Sequence, residues 1–231
     1  MQKMKELLGK YKHAWILSYF IIYVVWFLYL ENRTSVSYYP IHIGLDDRIP
    51  FCEYFIIPYL LWFAYVAIAI IYFFFVNKQD YYKCCAFLFI GMTICLIIYT
   101  IFPNQQNLRP LVFERQNIFT QIVQGIYTTD TSTNVCPSIH VFNSLGVFIA
   151  IMESESLRKN KVICMGAGIL TVLICLSTVF LKQHSVIDGL CALGLATILY
   201  AFIYKANYAK LLLRIEEEEQ KTRTKQRKEI G

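Results

Sequence analysis

The sequence predicts an all-α, polytopic membrane protein with six transmembrane helices and both termini in the cytoplasm, on three observations. Hydrophobic residues make up 57% of the 231 and charged residues 16%, against roughly a quarter charged in ordinary soluble domains. The apolar residues gather into runs of about the 20 residues that cross a ~30 Å hydrocarbon core, rather than alternating with polar ones at a helical period. Lysine and arginine then concentrate in alternate connections: segments 1–13, 77–83, 153–161 and 205–231 hold 17 of the 22. By the positive-inside rule those segments face the cytoplasm, and the segments carrying Arg33, Arg48, Arg109, Arg115 and Lys182 face outward.

Taken in order, a basic lead over 1–13 carries Lys3, Lys5, Lys10 and Lys12. The first apolar run, 14–30, is a full-length span with no small-residue cleavage pattern behind it, so it reads as a helix and not as a signal peptide. An outer loop over 31–54 alternates apolar and charged residues around Leu45-Asp46-Asp47-Arg48-Ile49-Pro50-Phe51. Two readings stand there: a segment lying on the membrane surface and capping a site, or an aspartate that caps a turn before Pro50. Runs 55–76 and 84–102 are rich in Phe, Tyr and Ile and read as scaffold. The connection over 103–136 is too long for a plain turn, a length more often functional than not. Run 139–152 is short for a span and is expected to extend through Pro137 or to be buried among the other helices. Runs 162–181 and 185–204 complete a membrane domain over 14–204, followed by a charged tail over 205–231.

The net charge of +6 lies mostly in that tail, where Glu216 to Glu219 precede Lys221 to Lys228. It reads as a solvated topology determinant, so the partners expected are membrane lipid and not nucleic acid. Of eight cysteines, six lie in or beside apolar runs as small packing residues, and Cys52 and Cys136 are the outward-facing two that could pair. No Cys-x-x-Cys spacing and no carboxylate cluster offers a metal site.

Three polar islands interrupt the apolar pattern, all on the outer side. The first is Arg109-Pro110 and the second Cys136-Pro137-Ser138-Ile139-His140. The third, from Ser177 to Asp188, places Lys182, His184 and Asp188 between two apolar runs. With a helix running from Gln183, His184 and Asp188 stand at i and i+4, and the carboxylate fixes the imidazole tautomer so that the other ring nitrogen is a base or nucleophile. Ser138 beside Pro137 offers a hydroxyl and backbone amides at a helix N-terminus, where anions bind. Ionisable groups inside a membrane domain are functional candidates by default.

These islands resemble the signature of the type 2 phosphatidic acid phosphatase superfamily, the integral-membrane lipid phosphate phosphatases: Lys-x6-Arg-Pro, Pro-Ser-Gly-His and Ser-Arg-x5-His-x3-Asp. Arg109-Pro110 matches the end of the first motif, Pro137-Ser138-Ile139-His140 the second, and Ser177-Thr178 with His184 and Asp188 the third, at the family's spacing. Phe102 stands where the first-motif lysine would be, Ile139 where the glycine would be, and Thr178 where the third-motif arginine would be. The Lys-Gln-His run and the Asp-x-x-Ile-Pro-Phe stretch resemble the branch that includes inositol phosphorylceramide synthases.

The resemblance implies an enzyme that hydrolyses a phosphate monoester or diphosphate of a phospholipid or isoprenoid through a phosphohistidine, without metal or cofactor. His184 is then the nucleophile, Asp188 its orienting partner and His140 the acid and base, with Arg109, Lys182, Ser138 and Ser177 on the phosphate oxygens. It further implies an outward-facing site in a membrane, expected to be a bacterial plasma membrane. Two alternatives stand beside it: transfer of a phosphorylated lipid headgroup to an alcohol, and a lipid-binding or transport scaffold that kept the fold without the chemistry. The lipid and the oligomeric state are left open.

Overall fold

A computed structural model describes residues 11–206. Most of the basic lead over 1–13 and of the charged tail over 205–231 lies outside those residues. The elements run α1 (Tyr19–Glu31, after a 3-10 turn over Lys12–Ser18), β1 (Tyr39–Pro40), α2 (Ile56–Val76), α3 (Lys78–Ile101), β2 (Asn104–Gln105), α4 (Ile118–Thr129), α5 (Ile139–Glu153), α6 (Lys161–Phe180) and α7 (Val186–Tyr200). Among the described residues the fold is all-α apart from the two-residue pairing of β1 with β2 and an isolated bridge between Gln105 and Thr133. Among the described residues, five helical stretches of 20 to 24 residues are long and apolar enough to cross a membrane, as a polytopic membrane protein requires.

Their outward faces are apolar. Ile21, Ile68, Phe75, Val162, Ile169 and Leu190 are each more than half exposed, a surface that water tolerates poorly and lipid tails do not. The interior is built on α3, the most buried of the long helices, where Cys84, Phe87, Leu88, Cys95 and Leu96 are fully or almost fully enclosed. Its N-terminus is fixed by the Asn77 side chain, which accepts from the Gln79 and Asp80 amides. The helix therefore begins six residues before the apolar run does.

The short run 139–152 forms α5, whose 15 residues fall below the length of a span. It is enclosed by α2, α3, α6 and α7. Close approach to α3 depends on two glycines: a Cβ on Gly91 would lie 1.9 Å from the Phe142 ring, and one on Gly146 would lie 2.8 Å from Phe87 and Leu88. Phe87 and Phe142 stack at 5.1 Å between them. This packing holds His140 at the buried N-terminal end of α5.

The connections over 31–54 and 103–136 are structured. Within 103–136, α4 starts at an Asn117–Thr120 capping box and lays Phe119, Val123, Ile126 and Tyr127 on a cluster with Ile56, Tyr59 and Leu181. The apolar positions 119, 123, 126 and 127 recur at helical spacing, a signal that was present in the sequence. Backbone pairing of β1 with β2 ties this connection to loop 31–54. Arg115, which could have paired with its neighbour Glu114, instead bonds the buried Glu53 carboxylate at 3.2 Å. Cys52 and Cys136 are both free thiols.

Candidate active site

The third island is a turn before it is a helix. Thr178 O accepts from both the Gln183 and His184 amides, and Lys182 takes a left-handed conformation (φ 54°) that reverses the chain after α6. Ser185 is the N-cap of α7, in extended conformation. His184 therefore precedes the helix, and its meeting with Asp188 is not the i, i+4 contact of a helical face. Asp188 sits in the first turn and bonds backwards in a capping box: Oδ2 accepts from the Ser185 amide at 2.9 Å and from His184 Nδ1 at 3.3 Å. With the Asp188 carboxylate as acceptor Nδ1 is the donor, and in the neutral imidazole Nε2 then keeps its lone pair. Asp188 is fully buried and His184 is 8% exposed.

His140 faces this pair. Ser138 caps α5, its Oγ accepting from the Val141 amide, while its own amide donates to the Asp188 carbonyl at 3.1 Å. That bond joins the second island to the third. Tyr99 Oη donates to the Pro137 carbonyl and steadies the same turn. The His140 ring stacks on Tyr59 at 4.7 Å and lies 4.4 Å from Trp62, with its centroid 5.7 Å from that of His184. Both histidines line a cavity of about 330 Å³ together with Glu31, Asp130, Gln183 and several aromatic rings. An apolar cavity of about 420 Å³ adjoins it, sharing the walls formed by Tyr23, Trp62 and Phe63.

The other expected site residues stand further back. Arg109 donates to the carbonyls of Tyr127, Asp130 and Thr131 and to Gln183 Oε1 at 2.5 Å, with its guanidinium 4.4 Å from the Tyr127 ring centroid. Burial lowers its pKa, and the nearby Asp130 carboxylate opposes the shift. It reaches the cavity through Gln183 rather than lining it. Lys182 Nζ donates to the carbonyls of Asp46 and Ile49 at 2.7 and 2.5 Å, so its ammonium is engaged with loop 31–54 and away from the histidines. Burial lowers this pKa too, against the raising influence of Asp46 and Asp47. Ser177 Oγ donates to the Ile174 carbonyl inside α6 and does not line the cavity. The structure thus brings His184, Asp188 and His140 together, sets Ser138 beneath them and Arg109 behind, and leaves Lys182 and Ser177 outside.

Asp46 supports the turn-capping reading of loop 31–54 and also ties the loop to α7. It caps its own turn, accepting from the Ile43 amide at 2.9 Å. The same carboxylate also accepts from Ser185 Oγ at 2.7 Å and from the Val186 amide at 2.9 Å, at the N-terminus of α7. A negative charge there answers the free amides and the positive end of the helix dipole. Glu31 and Asp130 on the cavity wall carried no local sequence signal, because neither belongs to a motif.

No family model, no curated protein and no solved structure matches this chain. The functional reading therefore rests on the geometry and on the motif spacing.

Proposed function

We propose that the chain is a membrane-embedded phosphoryl-transfer enzyme of the lipid phosphate phosphatase type, working through a phosphohistidine on His184. The observation that carries this reading is the buried His184–Asp188 pair, with Nε2 available, facing a second histidine across one cavity beside an apolar one. In the first step the Nε2 lone pair attacks phosphorus and the P–O bond to the lipid breaks. The bonding electrons leave with the oxygen, which takes a proton from His140. In the second, His140 removes a proton from water or an alcohol, whose oxygen attacks phosphorus and returns the N–P electrons to His184. Arg109 contributes positive potential from behind Gln183, where the transition state spreads charge over the equatorial oxygens. The apolar cavity suits the tail of the same substrate molecule.

α5 serves in this proposal as the sixth, enclosed membrane helix, and both termini are cytoplasmic, as the lysine and arginine distribution favours. The site then faces outward, in a membrane that this reading takes to be a bacterial plasma membrane. Headgroup transfer to an alcohol is a second reading, favoured by the two carboxylates on the cavity wall, which sit poorly beside a doubly charged phosphomonoester. The test is phosphate release by the purified protein from phospholipids and isoprenoid phosphates, without metal, beside His184→Ala. Release that disappears in the variant is expected; unchanged release would refute the nucleophile. Silence from wild type on the whole panel, with transfer seen on adding an alcohol, would select the second reading. Silence in both would select a scaffold that binds lipid without turnover.

A further inference from the structure

The cavity that holds the two histidines is acidic on its remaining wall. Glu31 and Asp130 line it, and among the described residues no lysine or arginine does. Their partners are neutral donors. Glu31 accepts from the Thr131 hydroxyl and from Asn134 Nδ2 at 2.9 Å, and Asp130 Oδ2 accepts from Tyr59 Oη at 2.9 Å and from Gln183 Nε2 at 3.5 Å. Neither carboxylate forms an ion pair among the described residues. Arg109, the nearest candidate, bonds the Asp130 backbone carbonyl and not its carboxylate.

Six aromatic rings also line it, Tyr23, Phe27, Tyr59, Trp62, Phe63 and Tyr99, beside threonine, asparagine and aliphatic side chains. Two half-buried carboxylates met only by neutral donors, with the nearby Arg109 guanidinium bonded elsewhere, and set beside ring faces are what an ammonium group would satisfy. In the same space the Nε2 of His184, on a side chain more than nine-tenths buried, has no protein partner among the described residues. One wall calls for positive charge while the histidine end suits an electrophilic phosphate.

We propose that Glu31, Asp130 and the aromatic wall form a subsite for the ammonium of a zwitterionic phospholipid headgroup, whose phosphodiester lies against His184 and His140. This deepens the phosphoryl-transfer reading and rests on it for the phosphate end alone. The substrate class it assigns is a singly charged phosphodiester carrying a quaternary or primary ammonium, in preference to a phosphomonoester dianion. Attack by His184 then breaks the P–O bond to the glycerol, whose oxygen takes the proton from His140. The phosphorylated amino alcohol stays on His184 until an alcohol or water accepts it.

Binding without turnover tests the subsite. Trp62 fluorescence of the full chain in maltoside is followed with tetramethylammonium and with its neutral isostere 3,3-dimethyl-1-butanol. Quenching by the cation alone is expected, lost in Trp62→Phe, kept in His184→Ala, and weakened about tenfold in Glu31→Gln and Asp130→Asn. Asp130→Asn keeps an acceptor for both donors, which share one oxygen, and Glu31→Gln keeps one of its two acceptor oxygens; unfolding temperatures check that the variants fold. Should they not fold, the wild-type contrast between cation and isostere decides by itself. Nanodisc phosphatidylcholine should compete with the probe and phosphatidylglycerol should not; competition by soluble choline alone would overturn the lipid assignment. Equal response to the neutral isostere, or affinity unchanged in both charge variants, would overturn the subsite. Retained phosphoryl transfer in His184→Ala would refute the catalytic reading without touching the subsite, so the two failures are distinguishable.

Discussion

Replacing Asp46 by alanine removes one carboxylate and three hydrogen bonds at once. The Ile43 amide, the Ser185 hydroxyl and the Val186 amide all lose their acceptor at a residue that is 2% exposed. A hydrogen bond to a charged group contributes about 1.5–3 kcal/mol net, and losing a helix N-cap costs about 1 kcal/mol. The three bonds share one side chain and are not additive, so a loss of about 3–5 kcal/mol is expected rather than their sum. For a chain of this size that corresponds to a fall of roughly 10 °C in the unfolding midpoint, read by intrinsic fluorescence in detergent. Lys182 should feel the change as well, since Asp46 is among the charges that favour its ammonium. Asp46→Asn keeps one acceptor oxygen and should lie between wild type and Asp46→Ala. Activity should fall in the same order, because Ser185 and Val186 begin the helix that orients Asp188 against His184. An Asp46→Ala protein that unfolds within 1 °C or so of wild type would show that the loop does not hold α7, and the assigned contacts would have to be abandoned.

Two further outcomes follow from local geometry. Gly91→Ala should destabilise by about 2–3 kcal/mol, because the added methyl meets the buried Phe142 ring, which is stacked on Phe87 and has no open direction to move. Gly125→Ala in α4, where a Cβ meets nothing within 4 Å, should be neutral or stabilise by about 0.5–1 kcal/mol; thermal unfolding of the pair checks both, and equal shifts would contradict the packing. Asp188→Asn keeps an acceptor for the Ser185 amide but loses the charge that holds the His184 tautomer. Turnover should therefore fall about 10²- to 10⁴-fold with a much smaller change in unfolding midpoint, as separate rate and melting measurements would show.

Much of the fold was legible because membrane insertion imposes a one-dimensional rule: long apolar runs must be helices, whatever they touch. The runs at 14–30, 55–76, 84–102, 162–181 and 185–204 each correspond to a long helical stretch, and the run at 139–152 is the short one. The pairing of His184 with Asp188 was legible from a separation of four residues, although the backbone makes it through an N-cap turn instead of a helical face. Helix α4 was missed because its apolar face is narrow and lies inside a polar connection.

By itself the sequence determined the long apolar helices and the three islands with His140, His184 and Asp188. Those depend on composition and on short separations. Only the tertiary structure decided which groups look into the cavity. Lys182, next but one to His184, turns its ammonium to Asp46 and Ile49 because a single left-handed residue redirects the chain. Asp46 reaches Ser185 across 139 residues of sequence, and Glu31 and Asp130 come to the same wall from the C-terminal ends of α1 and α4. At a helix end, the direction of a side chain is set by one or two cap torsions and by partners distant in sequence, and neither is written in the local pattern of residues.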